Sequence, residues 1–370
     1  MQKPDWYKIS NAEGLITPSL LVYPERIEKN IQTMIKIAGS SENLRPHIKT
    51  HKIAEIITLQ LKYGITKFKC ATIAEAELLA ICKAKDILLA VQPVGANLHR
   101  FFQLIKKYPN SEFSTITDSY ETIEEISKIA SEKNMIIPLW LDINNGMNRT
   151  GVSNQKKALE LYKGIATNSN LTSKGLHVYD GHIKDSDYNM RQKACDEAFK
   201  IVSKIKHDIE SAGYKVPTIV AGGTPCFPIH IKRKDVEVSP GTPLLWDQGY
   251  KNSFKDLLFL PSAVLLGRVI SKPKENLICL DLGHKSVASE MSFPKMKILN
   301  INNSKQISHS EEHLIIECNQ PEEHPIGKIC YAIPMHICPT VIKYDKVLTV
   351  LNKKVNGTWN VAARDYKITI

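Results

Sequence analysis

The stretch LRPHIKTHKIAEIITLQLKYGITKFKCATIAEAELLA, residues 44–80, alternates between two kinds of segment, and this alternation indicates the fold. Short β-favouring runs, LRPHIK and KFKCAT, each precede a longer run in which apolar residues recur at helical spacing. Such alternation is typical of a parallel sheet covered by helices. The end of the first run also carries four basic side chains: His47, Lys49, His51 and Lys52.

The same alternation extends from Leu15 to about Asp247, with about eight β/α units and no long insertion. This favours a closed (β/α)8 TIM-type barrel, and an open doubly wound sheet is the alternative that the pattern leaves. After about Phe254 the chain consists of short β-rich runs between turn clusters. We therefore predict an α/β chain with a barrel at residues 15–250 and an all-β domain at residues 251–370, against which residues 1–14 should pack.

The composition narrows the class of protein. Of the 370 residues, 43% are hydrophobic, and the formal net charge is +11. Because acidic residues are interleaved with the lysines, we expect no nucleic-acid partner. The eight cysteines include no CxxC pair, which favours reduced thiols. Residues 1–14 contain no apolar signal core, and no apolar run reaches the ~20 residues of a membrane span. We expect a cytoplasmic protein without a membrane partner.

The predicted barrel supplies a set of candidate active-site residues, because catalytic groups of this fold lie at the carboxyl ends of the strands. The residues at these ends are His47, Lys49, Thr72, Gln92, Asp142–Arg149, His177, Tyr179, His182 and Gly222–Thr224.

A lysine and a glycine turn among these residues suggest a cofactor. Basic neighbours and partial desolvation should favour the free, nucleophilic amine of Lys49. The Gly222-Gly223 pair can expose backbone N–H groups to a phosphate. An amine and a phosphate-binding turn are what pyridoxal 5'-phosphate requires. The alternative is that Lys49 and Lys52 are surface cations at a helix start, where they would oppose the helix macrodipole.

The segment PMHICPT, residues 334–340, suggests a metal site in the β domain. If this segment is a strand, the side chains of His336 and Cys338, two residues apart, point to one face. Imidazole and thiolate are good ligands for zinc or another borderline divalent metal. A buried cysteine beside a structural histidine is the alternative, and His313 is a possible further ligand or substrate contact.

Eight motifs occur in order along the chain: RPHIKTHK, ATIAEAELLA, NNGMNRTGV, GLHVYDGH, GGTP, SPGTPL, SEEHLIIE and IPMHICPT. Together they resemble the family of D-threonine aldolases and eukaryotic-type D-serine dehydratases. These are fold-type III pyridoxal-phosphate enzymes with an alanine-racemase-like barrel and a C-terminal β domain. The resemblance runs from about Leu15 to Asp365 and implies a homodimeric lyase, dependent on pyridoxal phosphate and a divalent metal, that acts on D-β-hydroxy amino acids.

The resemblance also implies roles for single residues. Lys49 would bond to pyridoxal phosphate, and Arg149 would lie close to the phenolic oxygen of the cofactor. Tyr179 matches an active-site tyrosine, and Thr72 lies where members of the family line the cofactor ring. The phosphate-binding turn would consist of Gly222, Gly223 and Thr224. The metal, zinc or manganese, would be bound by His336 and Cys338 and would contact the substrate β-hydroxyl.

The resemblance implies two possible reactions. Aldol cleavage, as of D-threonine to glycine and an aldehyde, needs a base at the β-hydroxyl, for which His182 or a metal-bound water is a candidate. Dehydration of D-serine or 3-hydroxyaspartate to a 2-oxo acid and ammonia needs a base at the α-carbon, for which Lys49 is a candidate. We expect the aldolase first, although Cys338 favours the dehydratases.

Two further interpretations follow from the resemblance. Ser239 lies where alanine racemases place an arginine, which argues against racemisation. A protein that only holds pyridoxal phosphate would need neither the β domain nor the pair of His336 and Cys338.

Overall fold

The computed structural model of the chain describes residues 5–370 and divides into two compact units. The first, which we call the β unit, comprises the described residues up to Thr33 together with Thr50–Ile56 and Thr242–Arg364. The second, which we call the barrel unit, comprises Met34–Lys49, Ile57–Gly241 and Asp365–Ile370.

Strands and helices alternate through the first two thirds of the described chain, and strands dominate the rest. The strands are β1 (Ser19–Val22), β2 (Lys67–Cys70), β3 (Asp86–Leu89), β4 (Glu112–Thr117), β5 (Ile137–Ile143), β6 (Leu171–Val178), β7 (Thr218–Ala221), β8 (Val236–Val238), β9 (Ala263–Lys274), β10 (Leu277–Leu280), β11 (Met296–Ile298), β12 (Ser304–His309), β13 (Leu314–Cys318), β14 (Ile329–Pro334), β15 (Lys346–Leu351) and β16 (Lys354–Asn360). The α-helices are α1 (Pro24–Ala38), α2 (Ala54–Lys62), α3 (Ile73–Ile81), α4 (Ala96–Lys107), α5 (Tyr120–Glu132), α6 (Gln155–Ala166), α7 (Tyr188–Ser211), α8 (Phe227–His230), α9 (Gln248–Ser253) and α10 (Cys338–Val341).

The barrel unit is built on a parallel sheet in which β2 to β8 are hydrogen-bonded in chain order. The extended segment 44–47 joins the two edges of this sheet. Its Leu44 forms a parallel bridge with Val238 of β8, and its His47 forms one with Lys69 of β2. Pro46 has no N–H to donate, which explains why this segment makes isolated bridges instead of a regular ladder. The predicted barrel is confirmed, with residues 44–47 as its eighth member.

A buried ion-pair network at the start of the strands holds this closure together. Both terminal guanidinium nitrogens of Arg45, Nη1 and Nη2, donate to the Asp86 carboxylate, at 2.6 and 2.8 Å, and its Nε donates to Glu237 at 2.8 Å. Lys67 pairs with the same glutamate. The Arg45 side chain is almost fully buried, so the bidentate geometry offsets the desolvation of its charge.

The barrel interior has an apolar layer formed by Leu88, Ile116, Trp140 and Val220, which come from four different strands. The indole N–H of Trp140 donates to Ser114 Oγ at 3.0 Å, so this buried polar group is satisfied.

The β unit is built on a nine-stranded, mostly antiparallel sheet in which β12, β13, β10, β9, β1, β15 and β16 are neighbours in that order, and β14 joins β11 to β9. The all-β character predicted after residue 254 is thereby confirmed. One predicted element differs. The alternation placed residues 19–22 at the start of the barrel, but β1 pairs with β9 and β15 of the β unit. A four-residue apolar strand carries no local information about which sheet it joins.

None of the helices within residues 5–370 combines the length and the apolar character that a membrane-spanning helix needs.

Candidate active site

Three cationic side chains surround the ring of Tyr179, the residue that follows β6. The Nζ atom of Lys49 lies 5.4 Å from the ring centroid, and the Nζ atom of Lys69 lies 5.9 Å from it. The guanidinium carbon of Arg149, in the loop after β5, lies 4.8 Å away. The barrel unit therefore brings together Lys49, Arg149 and Tyr179, which the sequence analysis had selected separately, and concentrates positive charge at one place.

Lys69 is a member of this site that sequence reasoning missed. It lies in β2 and is only 3% exposed. Burial, and then the charge of Lys49, lower the pKa of Lys69 to about 7. The sequence KFKC contained a signal for this residue. Phe68 and Cys70 are buried on one face of β2, and because side chains alternate along a strand, Lys69 points to the opposite face. A lysine in the middle of a buried strand is rare unless it has a partner or a function.

The two histidines near Lys49 contribute less positive charge than the sequence suggested. The backbone N–H of Lys49 donates to His47 Nδ1 at 3.2 Å, and that of Ile53 donates to His51 Nδ1 at 3.1 Å. A ring nitrogen that accepts a hydrogen bond carries no proton. Burial also lowers the pKa of His51 to about 3. The prediction that both imidazoles add positive charge around Lys49 is therefore wrong. Within the barrel unit, the basic side chains near Lys49 are those of Lys69 and Arg149.

A buried pair at the ends of β5 and β6 faces the barrel interior. His177 Nδ1 lies 2.7 Å from Asp142 Oδ1. Burial lowers the pKa of His177 despite this carboxylate, so the neutral ring donates its Nδ1 proton to Asp142. The other ring nitrogen, Nε2, is buried and has no hydrogen-bond partner among the described residues. An acceptor in that state is typical of a ligand-binding site.

The glycine turn after β7 is held by a buried carboxylate. Gly222 has a φ of +76°, which favours glycine. The N–H of Gly223 donates to Asp180 Oδ1 at 3.2 Å, and Asp180 Oδ2 lies 2.7 Å from His230 Nε2. Thr224 Oγ1 accepts from the N–H of Gly241 at 3.2 Å. This N–H of Gly223, which the sequence analysis assigned to a phosphate, is therefore already used to shape the turn.

His182 and Thr72 occupy different environments. His182 is exposed, and a Cβ atom built on Gly146 would lie 2.9 Å from its Nε2, so the loops after β5 and β6 meet there. The hydroxyl of Thr72 accepts from the N–H of Glu75 at 3.1 Å and caps α3. Since this hydroxyl is engaged in the cap, its predicted place beside the cofactor ring gains no support from its hydrogen bonds.

In the β unit, His336 and Cys338 do not lie on a strand. β14 ends at Pro334, and Cys338 is the first residue of the short helix α10. The expected reason for their common orientation is therefore wrong. The two side chains still interact, and a hydrogen bond with Cys338 is the largest of the influences that raise the pKa of His336 to about 9. The exposed His313 precedes β13.

Polar side chains of the β unit hold this pair in place. His336 Nδ1 lies 2.5 Å from Glu290 Oε1, and Thr50 Oγ1 lies 3.2 Å from Cys338 Sγ. Asp247 accepts from the N–H of Ile337 at 3.0 Å. Burial raises the pKa of Asp247 to about 6. A histidine with a carboxylate on one ring nitrogen and a thiol nearby has the donor set and the supporting contacts of a metal ligand.

Sequence profiles of two families match the chain. The alanine racemase N-terminal domain matches residues 22–247, and a putative serine dehydratase domain matches residues 262–350.

Relatives of known activity and a solved structure cover nearly the whole chain. A D-threonine aldolase from Arthrobacter sp is 26% identical over 359 residues, which are 95% of this chain and 93% of the relative. A D-serine dehydratase from Dictyostelium discoideum is 24% identical over 375 residues, with 92% of this chain and 94% of the relative covered. The crystal structure of a D-threonine aldolase from Filomicrobium marinum superposes with a TM-score of 0.87 at 24% identity and covers 95% of this chain and 96% of its own. This structural likeness shows the fold.

Proposed function

The chain belongs to the family that shares the alanine racemase N-terminal domain, and from that premise we propose that it is a lyase, dependent on pyridoxal phosphate and a divalent metal, that cleaves D-β-hydroxy amino acids. The observation that carries the proposal is the group of Lys49, Lys69 and Arg149 around Tyr179. The relatives named as D-threonine aldolase and 3-hydroxy-D-aspartate aldolase support the substrate class.

The side chains of the barrel unit fit an anionic pyridine cofactor. Pyridoxal phosphate carries a phosphate and a phenolic oxygen, and three basic side chains beside one aromatic ring suit such charges. The unpartnered Nε2 of His177 is a buried polar atom that a ligand would satisfy. The turn at Gly222, Gly223 and Thr224, shaped by Asp180, is the proposed phosphate site.

Each residue of the site has a task in this proposal. When bound, pyridoxal phosphate draws electrons away from the α-carbon of the amino acid and weakens its bonds. Lys49 would hold the cofactor at rest, and its amine could carry a proton once released. Arg149 would stabilise negative charge at the phenolic oxygen, and Tyr179 would help to orient the cofactor. For the aldolase, His182 takes the proton from the substrate β-hydroxyl oxygen.

The proposed metal site is the pair of His336 and Cys338. An imidazole and a thiolate leave coordination positions for water or substrate on a zinc or manganese ion. Glu290, at 2.5 Å from the His336 ring, would orient that ring toward the metal. An ion held there would supply a Lewis acid for the substrate β-hydroxyl.

Dehydration is the second candidate function, and it is favoured by Cys338 and by relatives named as D-serine dehydratase and D-threo-3-hydroxyaspartate dehydratase. The two reactions begin with the removal of different protons and break different bonds: the β-hydroxyl proton and the Cα–Cβ bond in aldol cleavage, the α-proton and the Cβ–O bond in dehydration. In this case Lys49 would take the α-proton, and an ion held by His336 and Cys338 would supply a Lewis acid for the leaving hydroxyl.

A product assay separates the two reactions. Purified protein is incubated with pyridoxal phosphate, Mn²⁺ or Zn²⁺, and D-threonine. We expect glycine and acetaldehyde, whereas 2-oxobutanoate and ammonia would identify a dehydratase. 3-Hydroxy-D-aspartate and D-serine are assayed in parallel, because D-threonine could bind too weakly to reveal the reaction.

Two variants test the assigned residues in the same assay. Lys49→Ala should abolish turnover and the visible absorbance of lysine-bound cofactor in a protein that stays folded. Persistence of that absorbance would assign the bond to another lysine, such as Lys52. His336→Ala should keep the absorbance and lose the metal-dependent turnover. Turnover that is indifferent to this change and to chelator would refute the metal site.

We further propose that the protein acts in the cytoplasm as a homodimer, as the family resemblance implies. Light scattering on the purified protein should give about twice the monomer mass of 41.6 kDa. A monomeric mass in a catalytically active sample would contradict this.

A further inference from the structure

A second set of metal-binding side chains lies inside the barrel unit. The ligand atoms of Asp180, Cys195 and His230 all lie within 4.8 Å of one another, and among residues 5–370 they form the one such group of three. None of the three residues is more than 2% exposed. Three donors of different chemistry in so small a buried volume are unusual, because each is costly to desolvate alone.

A fourth donor adjoins this group. Cys226, at the start of α8, is 1% exposed. Its side chain packs in the same buried cluster as Cys195. Cys195 comes from the middle of α7, Asp180 from the segment after β6, and His230 from the end of α8. The fold thus gathers two thiols, an imidazole and a carboxylate from three distant parts of the sequence.

We propose that Asp180, Cys195, Cys226 and His230 bind a structural zinc ion. Two thiolates, an imidazole nitrogen and a carboxylate oxygen complete a tetrahedral set without an open position, which is typical of structural and not catalytic zinc. The surroundings are apolar, since Ile183 and Ile229 pack against the two cysteines. Binding would release the thiol protons and replace the hydrogen bond between Asp180 and His230 by two bonds to the metal.

Arg233 supplies the charge balance for this site. A zinc ion with two thiolates and one carboxylate carries one net negative charge. The Nε atom of Arg233 lies 3.2 Å from His230 Nδ1, and its guanidinium also pairs with Asp196 at 2.5 Å. When zinc occupies Nε2 of His230, the ring proton moves to Nδ1. The Arg233 Nε–H would then no longer donate to Nδ1, and the ion pair with Asp196 would keep the guanidinium charge next to the site.

The zinc ion would brace the turn that the proposed function assigns to a phosphate. Asp180 uses its other oxygen, Oδ1, to accept from the N–H of Gly223 at 3.2 Å. A carboxylate fixed by a metal holds such a hydrogen bond more rigidly than one held by an imidazole alone. This consequence rests on the proposed function, whereas the zinc site itself does not.

Metal content of purified protein tests the proposal. The protein is expressed with zinc, freed of loose metal by gel filtration, and measured by inductively coupled plasma mass spectrometry. The double variant His336→Ala, Cys338→Ala is the background, because it removes the other proposed site. We expect one zinc ion per chain in this background. Adding Cys195→Ser should abolish it, and adding Cys318→Ser, a buried cysteine of the β unit, should leave it unchanged.

A spectroscopic readout covers the case in which Cys195→Ser fails to fold. Cobalt in the background variant should give the thiolate charge-transfer absorption of a tetrahedral site, and Cys226→Ser should weaken it. The proposal is overturned if the folded background holds no zinc, or if it keeps its zinc after Cys195→Ser. Failure of the proposed function would appear separately, as an absence of product with the wild-type protein.

Discussion

At the scale of single residues, the feature that governs the candidate site is a lysine whose charge is held inside the barrel. Lys69 is 3% exposed and lies close to two other cations around Tyr179. The carboxylates of Asp180 and Asp142 act on it with the opposite charge, but burial outweighs them. Burial of a cation without a close ion pair destabilises the folded state, and such residues persist where function requires them.

Lys69→Met should therefore stabilise the cofactor-free protein, and more so at low pH. Below about pH 7 the lysine is protonated in both states, and the folded state holds a buried charge. Between that pH and its usual value of 10.5 only the unfolded chain keeps the proton, so wild-type stability rises with pH. We expect a gain of about 1–4 kcal/mol near pH 6 that shrinks toward pH 10, measured by urea denaturation.

The exposed Lys85, which directly precedes β3 in the same unit, provides the matched control. Lys85→Met should change stability by less than ~0.5 kcal/mol at either pH. An equal effect of the two substitutions would show that the charge of Lys69 is not desolvated. A gain in stability joined to a loss of turnover in Lys69→Met would place this lysine among the working groups of the site.

At the scale of elements, the close pairing of β6 with β7 depends on Gly175. The pairing of β5 and β6 shifts register between Leu139 and Trp140, opposite the point where Gly175 lies. Gly175 has a φ of +126°, and a Cβ atom there would lie 1.9 Å from the carbonyl oxygen of Thr218 in β7. A side chain at this position would force β6 and β7 apart, because a backbone oxygen in a ladder cannot move aside.

Gly175→Ala should lower the free energy of unfolding by about 3 kcal/mol or more and reduce cofactor binding, because Tyr179 and Asp180 directly follow β6. Thermal unfolding by circular dichroism measures the first effect. Gly164→Ala in α6 is the control, since the nearest atom to its Cβ would be Tyr120 Cε1 at 3.9 Å. That change should be neutral or slightly stabilising. Equal stability of the two variants would contradict the close approach of β6 to β7.

At the scale of the whole molecule, the chain end returns to the barrel unit. The buried Glu77 of α3 accepts hydrogen bonds from the backbone N–H groups of Thr369 and Ile370, at 3.0 and 3.2 Å, and from the Tyr108 hydroxyl at 3.0 Å. Arg100 donates to the carbonyl oxygen of Ile370 at 2.8 Å. Burial raises the pKa of Glu77, but the bonds from Thr369 outweigh it and leave this pKa lowered. The tail therefore satisfies a buried carboxylate.

Deleting residues 369–370 should destabilise the protein by about 1–3 kcal/mol at neutral pH, because the Glu77 carboxylate loses the donors of Thr369 and Ile370 and keeps only those of neighbouring side chains such as Tyr108. A carboxyl whose pKa is lowered on folding contributes stability above its usual pKa and loses it as the pH falls. The cost of the deletion should accordingly shrink in acid. In a Glu77→Gln background the same deletion should cost much less. An equal loss of stability in the two backgrounds would show that the tail does not act through the Glu77 carboxylate.

The sequence by itself determined the β/α alternation, the β-rich C-terminal part and the candidates Lys49, Arg149, Tyr179, His336 and Cys338, because strand and helix periods and motif spacings are local properties of the chain. Only the tertiary structure decided which sheet β1 joins and that residues 44–47 close the barrel.

The same holds for the chemistry around the site. The nearness of Lys69 to Tyr179, and the meeting of Asp180, Cys195 and His230, depend on contacts between residues far apart in sequence. Burial decided the protonation of the basic groups, since it lowers the pKa of Lys69 and of His51. Neither long-range pairing nor desolvation is written in a local pattern, because both arise only when the strands close around a common interior.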